Sequence, residues 1–421
     1  MANSLLDLED KRIKVLFTFS GMPHYLTALL KNIQRKGIDV LVALPDKGKG
    51  RSIGAGVYIP DEQFEFKGFY LNECSSWYGK PMLKGLKHLI VQERPDILVF
   101  IWPYILQLVF DPFLFRTLRK LNVSILLREI PFQVPPKGKI LEYFKHNPYI
   151  TENGTYLKDT GILFLFKQYV LSIIRQIYYA RVTGVLHYAE GKGNIPISYG
   201  VPPDRIWPTL NSPDTVALTE AYKALITKEN NARNGRKIIH VGRLVPWKKT
   251  DLLIRAVSAL VKEIPDISLV IVGDGPQRKE LVNLTKELGV EKHVQFVGAV
   301  YKPLELGKYL MDADIYVLAG MGGLSINEAM AFGKPVICSV CDGTEKDLVT
   351  DSVNGYFFQP NDVHDLANKI RQLILDPEGI KRMGEESRKI IQEKVNIDVV
   401  SDRFVEAFRK VNAIRSTTKE K

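Results

Sequence analysis

The stretch whose residue types and spacing best suit a chemistry is Gly322-Gly323-Leu324-Ser325-Ile326-Asn327-Glu328-Ala329-Met330-Ala331-Phe332-Gly333-Lys334-Pro335-Val336-Ile337. It reads as a glycine turn, a short helix, a stop and a buried strand. The paired glycines let a ligand approach the backbone closely. Ser325 is placed to cap the helix, with Glu328 in its first turn. Gly333 ends the helix, and Pro335 prevents it from continuing. Unpaired N–H groups and the positive end of the helix dipole suit an anion. A carboxylate one turn further on accepts hydrogen bonds from ligand hydroxyls. Phosphate beside a polyol is the outline of a nucleotide sugar. An ordinary αβ corner with a surface glutamate has the same pattern.

Further candidates lie at strand ends. Arg243-Leu244-Val245-Pro246-Trp247-Lys248-Lys249 follows the apolar run Lys237–Gly242. Two or three cations fixed in a turn suit a diphosphate, and the alternative is a solvated charged loop. The turn Gly273-Asp274-Gly275-Pro276 and the polar turn Cys341–Asp347, with Glu345 as a candidate donor contact, fall on the same expected edge. Arg128-Glu129 ends the run Val123–Leu127; it is an acceptor-side candidate or an internal ion pair. His240 reads as a packed core histidine. Asp312-Ala313-Asp314 has the Asp-x-Asp spacing of metal-dependent sugar transferases, but it sits between a helix and a buried strand and reads as a decoy. Cys338-x-x-Cys341 has no second pair to complete a zinc site.

These residues need a scaffold, and the hydrophobic pattern supplies one. Lys14–Ser20 is a β-rich run ending in Gly21-Met22-Pro23, followed by an amphipathic helix from Tyr25 to Lys36 and a strand Ile38–Leu44. That order opens a parallel doubly wound sheet. Gly21 falls at the carboxyl end of a first strand, where such sheets place ligands, without the full Gly-x-Gly-x-x-Gly fingerprint. Residues 131–160 lack periodicity and read as an acceptor-side loop. Gly161–Tyr179 reads as a core helix, with an interfacial helix on anionic lipid as the alternative. Thr227–Arg236 is polar and is the expected linker. After it the βαβ alternation restarts, so domains are expected at 1–226 and 227–395, with a closing helix at 396–421 that packs back on the first.

The chain has 421 residues, 45% hydrophobic and 25% charged, as in a globular protein of two domains. Net charge is +11, with 28 basic and 20 acidic residues up to 225 and 30 and 27 after it. Anionic substrate or membrane suits that excess; no nucleic-acid motif accompanies it. Three cysteines are too few for a disulfide framework and fit a cytoplasmic protein. The start is acidic, unlike a signal peptide, and no apolar run of roughly 18 residues is present.

At these residues the chain resembles the family 4 glycosyltransferases, a group of retaining enzymes. Val241-Gly242-Arg243-Leu244 with Lys248, Val272-Gly273-Asp274-Gly275-Pro276, Gly323 to Val336, Gly343-Thr344-Glu345 and Asn354-Gly355 fall in step with the family's motifs. Tyr199–Ile206 and Asn211–Asp214 resemble its tract before the linker, with Ser212 for the usual glycine. The resemblance implies the GT-B fold: two Rossmann-like α/β domains facing a central cleft. It implies Arg243, Lys248 and Glu328 as catalytic residues. Gly21, Gly275, Gly322, Gly323, Leu324, Ser325 and Glu345 would bind the donor, and Arg128 and Glu129 would face the acceptor. The donor would be UDP- or GDP-linked, with no further cofactor and no metal. The acceptor would be a cell-envelope glycan or lipid-linked saccharide, and the enzyme would be cytoplasmic and peripheral at the inner face of the plasma membrane. Two departures stand out. The family carries two glutamates eight positions apart; the second is Glu328, but the first falls on Gly320. The histidine often found at the end of a middle strand of the first domain is replaced by Arg128-Glu129. A scaffold that binds without turnover and a nucleotide-sugar epimerase are the competing readings.

Overall fold

The computed structural model describes residues 12–46, 65–129, 133–147, 149–151, 156–157, 161–226, 236–341 and 343–417. The acidic start and the linker up to residue 235 lie outside these, as does part of the 131–160 loop. The chain forms two compact units: 1–148, 159–209 and 400–421 in the first, 149–158 and 210–399 in the second. The division falls at Thr209, ahead of the polar linker, because the helix Thr215–Ile226 packs on the helices Pro303–Asp312 and Ser325–Ala331 of the second unit.

The first unit holds strands β1 (Lys14–Thr18), β2 (Asp39–Pro45), β3 (Lys67–Ser75), β4 (Pro81–Lys84), β5 (Ile97–Phe100) and β6 (Ser124–Glu129). A two-stranded hairpin, β7 (Tyr149–Ile150) and β8 (Tyr156–Leu157), is grouped with the second unit. β9 (Gly184–His187) and β10 (Ile206–Pro208) complete the first sheet, ordered β10-β9-β6-β5-β1-β2-β3-β4. Only the β3–β4 pair is antiparallel. The central strands are near-continuous apolar runs because helices cover both faces. From Val400 the last helix, Ile397–Thr417, belongs to this unit: Phe408 meets Phe17 edge-on, and Arg415 pairs with Asp96.

The helix Ile162–Arg181 departs from the core reading. Ile162 and Leu163 are 88% and 82% exposed, and Phe166, Tyr169, Val170 and Ile173 continue the same face into solvent. The opposite face carries buried Gln168, Tyr178 and Tyr179. An apolar count cannot separate a core helix from one whose apolar stripe faces outward.

The second unit holds β11 (Arg236–Val241), β12 (Ile267–Val272), β13 (Val294–Gly298), β14 (Ile315–Leu318), β15 (Val336–Cys338) and β16 (Gly355–Phe357), ordered β13-β12-β11-β14-β15-β16 and parallel throughout. Strand order reverses between β11 and β14. The carboxyl ends of those two strands flank the crevice where doubly wound sheets place ligands. Asp312 pairs with the Lys237 side chain, and Asp314 accepts the Lys237 N–H at 2.8 Å. The Asp-x-Asp thus anchors the start of β11.

Candidate active site

Two turns meet at the switch point of the second sheet. One follows β11, from Gly242 to Lys249; the other follows β14, from Ala319 to Leu324. Their backbones are in direct contact: Met321 N–H donates to Trp247 O at 2.8 Å. Lys248 is buried, and its ammonium donates to the carbonyls of Met321 at 2.9 Å and Gly322 at 2.7 Å. Those bonds fix one cation directly against the glycine turn. The Arg243 guanidinium lies over the Trp247 ring, 5.9 Å from its centroid, so a second cation is held by an aromatic face. Sequence reasoning gave Trp247 no role; its ring and its carbonyl both organise the turn.

The glycine turn is also held from behind. Glu345 is fully buried; its Oε1 accepts the Gly322 N–H at 3.1 Å, and its Oε2 accepts those of Gly343 at 2.9 Å and Cys341 at 3.4 Å. Expected from sequence as a donor contact, Glu345 holds the turn in this structure. Gly275 is likewise explained by packing, because a Cβ there would lie 2.5 Å from Leu244 O. It brings the β12 turn against the β11 turn.

The helix Ser325–Ala331 begins at its expected cap, one residue earlier than predicted. Ser325 is the first helical residue and makes no capping bond; its buried Oγ accepts from the Tyr316 hydroxyl at 2.8 Å. The neighbouring strand has taken the hydroxyl that the cap would use. At seven residues this helix has a weak macrodipole, so an anion would rely on the N–H groups themselves. Those of Gly323, Leu324 and Ser325 carry no hydrogen bond among the described residues.

Glu328 sits one turn further on. Burial pushes its carboxyl up to about 7, opposed by the Lys248 ammonium. Its side chain keeps a partly exposed surface, so it is a desolvated carboxyl with an opening to solvent. Asn327 beside it is buried, with its Nδ2 lacking a hydrogen-bond partner; nothing in its residue type signalled this. His240, on β11, is fully buried. Burial pushes it down to about 4, and its Nδ1 lies 3.0 Å from Val317 O. It is a neutral core residue.

In the first unit, Gly21 lies just past β1, ahead of the helix His24–Arg35. Arg128 and Glu129 do not share a site. Successive strand residues point to opposite faces, and these two do. The Arg128 guanidinium is buried among the rings of Tyr188, Phe404 and Phe19, at 4.6, 5.4 and 6.0 Å, which pins the last helix to the sheet. Glu129 faces the helix Ile162–Arg181, where the Tyr179 hydroxyl donates to it. Burial pushes its carboxyl up to about 7, against the pull of Tyr179 and Arg175.

The fold, and part of the sequence, have counterparts among known proteins. Residues 223–390 match the family described as glycosyl transferases group 1. An uncharacterized glycosyltransferase of Haemophilus influenzae is 30% identical over 184 residues, 43% of this chain and 51% of that protein. A GDP-mannose-dependent alpha-(1-6)-phosphatidylinositol monomannoside mannosyltransferase of Mycolicibacterium smegmatis is 32% identical over 161 residues, 36% of this chain and 42% of that protein. The chain thus spans about half or less of the length of these relatives. The crystal structure of Anabaena Alr3699/HepE in complex with UDP superposes with a TM-score of 0.67 at 18% identity, covering 94% of this chain and 99% of that one. The fold is GT-B, and the match to the glycosyl transferases group 1 falls within its second unit.

Proposed function

We propose that this protein is a retaining, metal-independent glycosyltransferase that takes a sugar from a UDP- or GDP-linked donor. The observation that carries the reading is Lys248 seated on the carbonyls of the Gly322 turn. Lys248, Arg243 and the N–H groups of Gly323, Leu324 and Ser325 would meet the charge that grows on the leaving diphosphate. Preorganised donors of this kind stabilise a transition state without reorganising. Glu328, when ionised, would accept hydrogen bonds from the donor's hydroxyls. Two side-chain cations supply what a metal would otherwise supply. The leaving phosphate would take the acceptor's proton, so no enzyme nucleophile is needed.

The acceptor we propose is a cell-envelope glycan or lipid-linked saccharide. The exposed apolar stripe of the helix Ile162–Arg181, in the half of the chain that carries most of the positive charge, supports docking on an anionic membrane at the cytoplasmic face. Among the described residues no helix is long and apolar enough to cross a membrane.

The test is incubation with UDP- and GDP-sugars and envelope extract, with and without chelator, following release of nucleoside diphosphate. Turnover that survives chelation and falls sharply in Arg243→Ala supports the reading. A binding-only scaffold would retain donor without release, and an epimerase would isomerise donor without consuming acceptor. Either outcome replaces it.

A further inference from the structure

The second unit has a cavity on the edge of its sheet opposite the candidate active site. Because all six strands are parallel, their amino ends share one edge. Arg236 opens β11, Asp266 precedes β12, Asp314 precedes β14 and Lys334 lies just ahead of β15. These residues line an open cavity of about 820 Å³. The Lys248 turn sits at the other end of β11, about 20 Å away at roughly 3.3 Å per strand residue. The cavity is therefore separate from the candidate active site, and its volume suits a ligand of one or two sugar rings.

Its charges do not cancel. Asp266 is held by Arg236, whose Nη1 donates to both carboxylate oxygens at 2.8 Å. The Lys334 ammonium is buried against the carbonyls of Ala313 at 2.6 Å and Met311 at 3.4 Å. One face of the helix Pro377–Glu393 then adds Lys381, Arg388 and Lys389 to the lining. None of these three cations takes part in an ion pair or hydrogen bond among the described residues. The Arg388 guanidinium is stacked on the Tyr222 ring, 3.8 Å from its centroid. Stacking fixes the plane of the fork while leaving its N–H groups to bind an oxyanion. Lys381 and Arg388 are seven residues apart, about 10.5 Å along the helix axis at 1.5 Å per residue. Cations spread along that length can meet more than one phosphate of the same ligand. Glu385 and Gln392 on the same face offer hydrogen bonds to hydroxyls.

We propose that this cavity is a second, non-catalytic site for a phosphate-bearing saccharide or polyol, gripped by Arg388 with Lys381 and Lys389. Its ligand is either a soluble sugar bisphosphate or a stretch of phosphodiester-linked polymer. Calorimetry on the full chain with glucose 1,6-bisphosphate and with an oligo(glycerol phosphate) tests this. The background is Arg243→Ala, which weakens phosphate binding at the other edge. Binding persists in that background and weakens about tenfold or more in Lys381→Glu/Lys389→Glu, since each reversal replaces an attraction by a repulsion. Both lysines are exposed, so this variant keeps the fold even if Arg388→Ala disturbs the Tyr222 stack. Arg388→Lys, which keeps the charge but not the fork, also weakens binding. Tighter binding of the oligomer identifies a polymer, and tighter binding of the bisphosphate a soluble ligand. The proposal is overturned if neither probe binds, if Arg243→Ala alone abolishes binding, or if the lysine reversal leaves it unchanged. Turnover of nucleotide sugar is a separate readout and does not decide this test.

Discussion

Gly320 stands where the resembled family has a glutamate, and the structure gives the reason. A Cβ at this position would lie 2.2 Å from Trp247 O, 2.6 Å from Lys248 C and 2.8 Å from Lys248 O. All three are main-chain atoms. They cannot swing aside as a side chain can, and Met321 N–H already ties the same segment to Trp247 O at 2.8 Å. Gly320→Ala must therefore push the two turns apart by roughly 1 Å to reach ordinary contact. Overpacking of this kind costs about 1–3 kcal/mol, and contact with backbone puts it at the upper end. For a unit of this size that is a fall in Tm of about 5–10 °C. The same displacement lifts Lys248 from the carbonyls of Met321 and Gly322, so affinity for UDP or GDP falls with stability. Gly320→Glu, which restores the family's residue type, does no better than alanine. Thermal denaturation with and without nucleotide, plus calorimetric titration, measures both effects. An alanine variant with unchanged Tm and nucleotide affinity would refute the reasoning, as would a glutamate variant with raised activity.

Other expectations follow from the same geometry. Glu328 has a folded pKa near 7, above its ordinary 4.5, so the folded state holds the extra proton between those values. Its contribution to stability is present at low pH and is lost as pH rises through 7; Glu328→Gln flattens that decline in urea titrations at pH 5 and 8. Donor affinity runs the other way in the wild type, rising through pH 7 as the carboxylate forms, and is weaker and flat in Glu328→Gln. Glu345→Gln turns an amide N–H₂ toward N–H groups that need acceptors, costing about 1–3 kcal/mol and loosening the Gly322 turn; a wild-type melting curve would contradict its positioning role. Phe166→Glu/Ile173→Glu places two charges on the exposed stripe and should abolish sedimentation with anionic vesicles at low salt. Equal sedimentation of variant and wild type would remove the membrane from the proposal.

Much of this was legible because parallel sheets announce themselves. Apolar runs alternating with amphipathic helices gave two doubly wound units. Glycines and cations just past the apolar runs then pointed to the turns after β11 and β14. Residue type picked out Arg243, Lys248 and Glu328, since few other groups bind phosphate and hydroxyls there. What sequence could not show was which partner each polar group takes when several compete. Ser325 obeys the capping rule by type, yet Tyr316 arrives from the adjacent strand and captures its hydroxyl. Glu345 looks like a donor contact in a polar turn, yet its carboxylate is taken by three backbone N–H groups. Arg128 and Glu129 look like a pair, yet the pleat sends them to opposite faces. In each case the folded backbone, through a strand neighbour, a turn or the pleat, decides which partner a polar group takes. Gly320 shows the converse. A missing carboxylate suggests weakened chemistry when read as a residue type. Read against the carbonyl of Trp247, it is the condition that lets two backbones close tightly enough to seat Lys248. The site is then better described as a pair of interlocked turns than as a set of catalytic side chains, and changes to its buried glycines should be as damaging as changes to its charges.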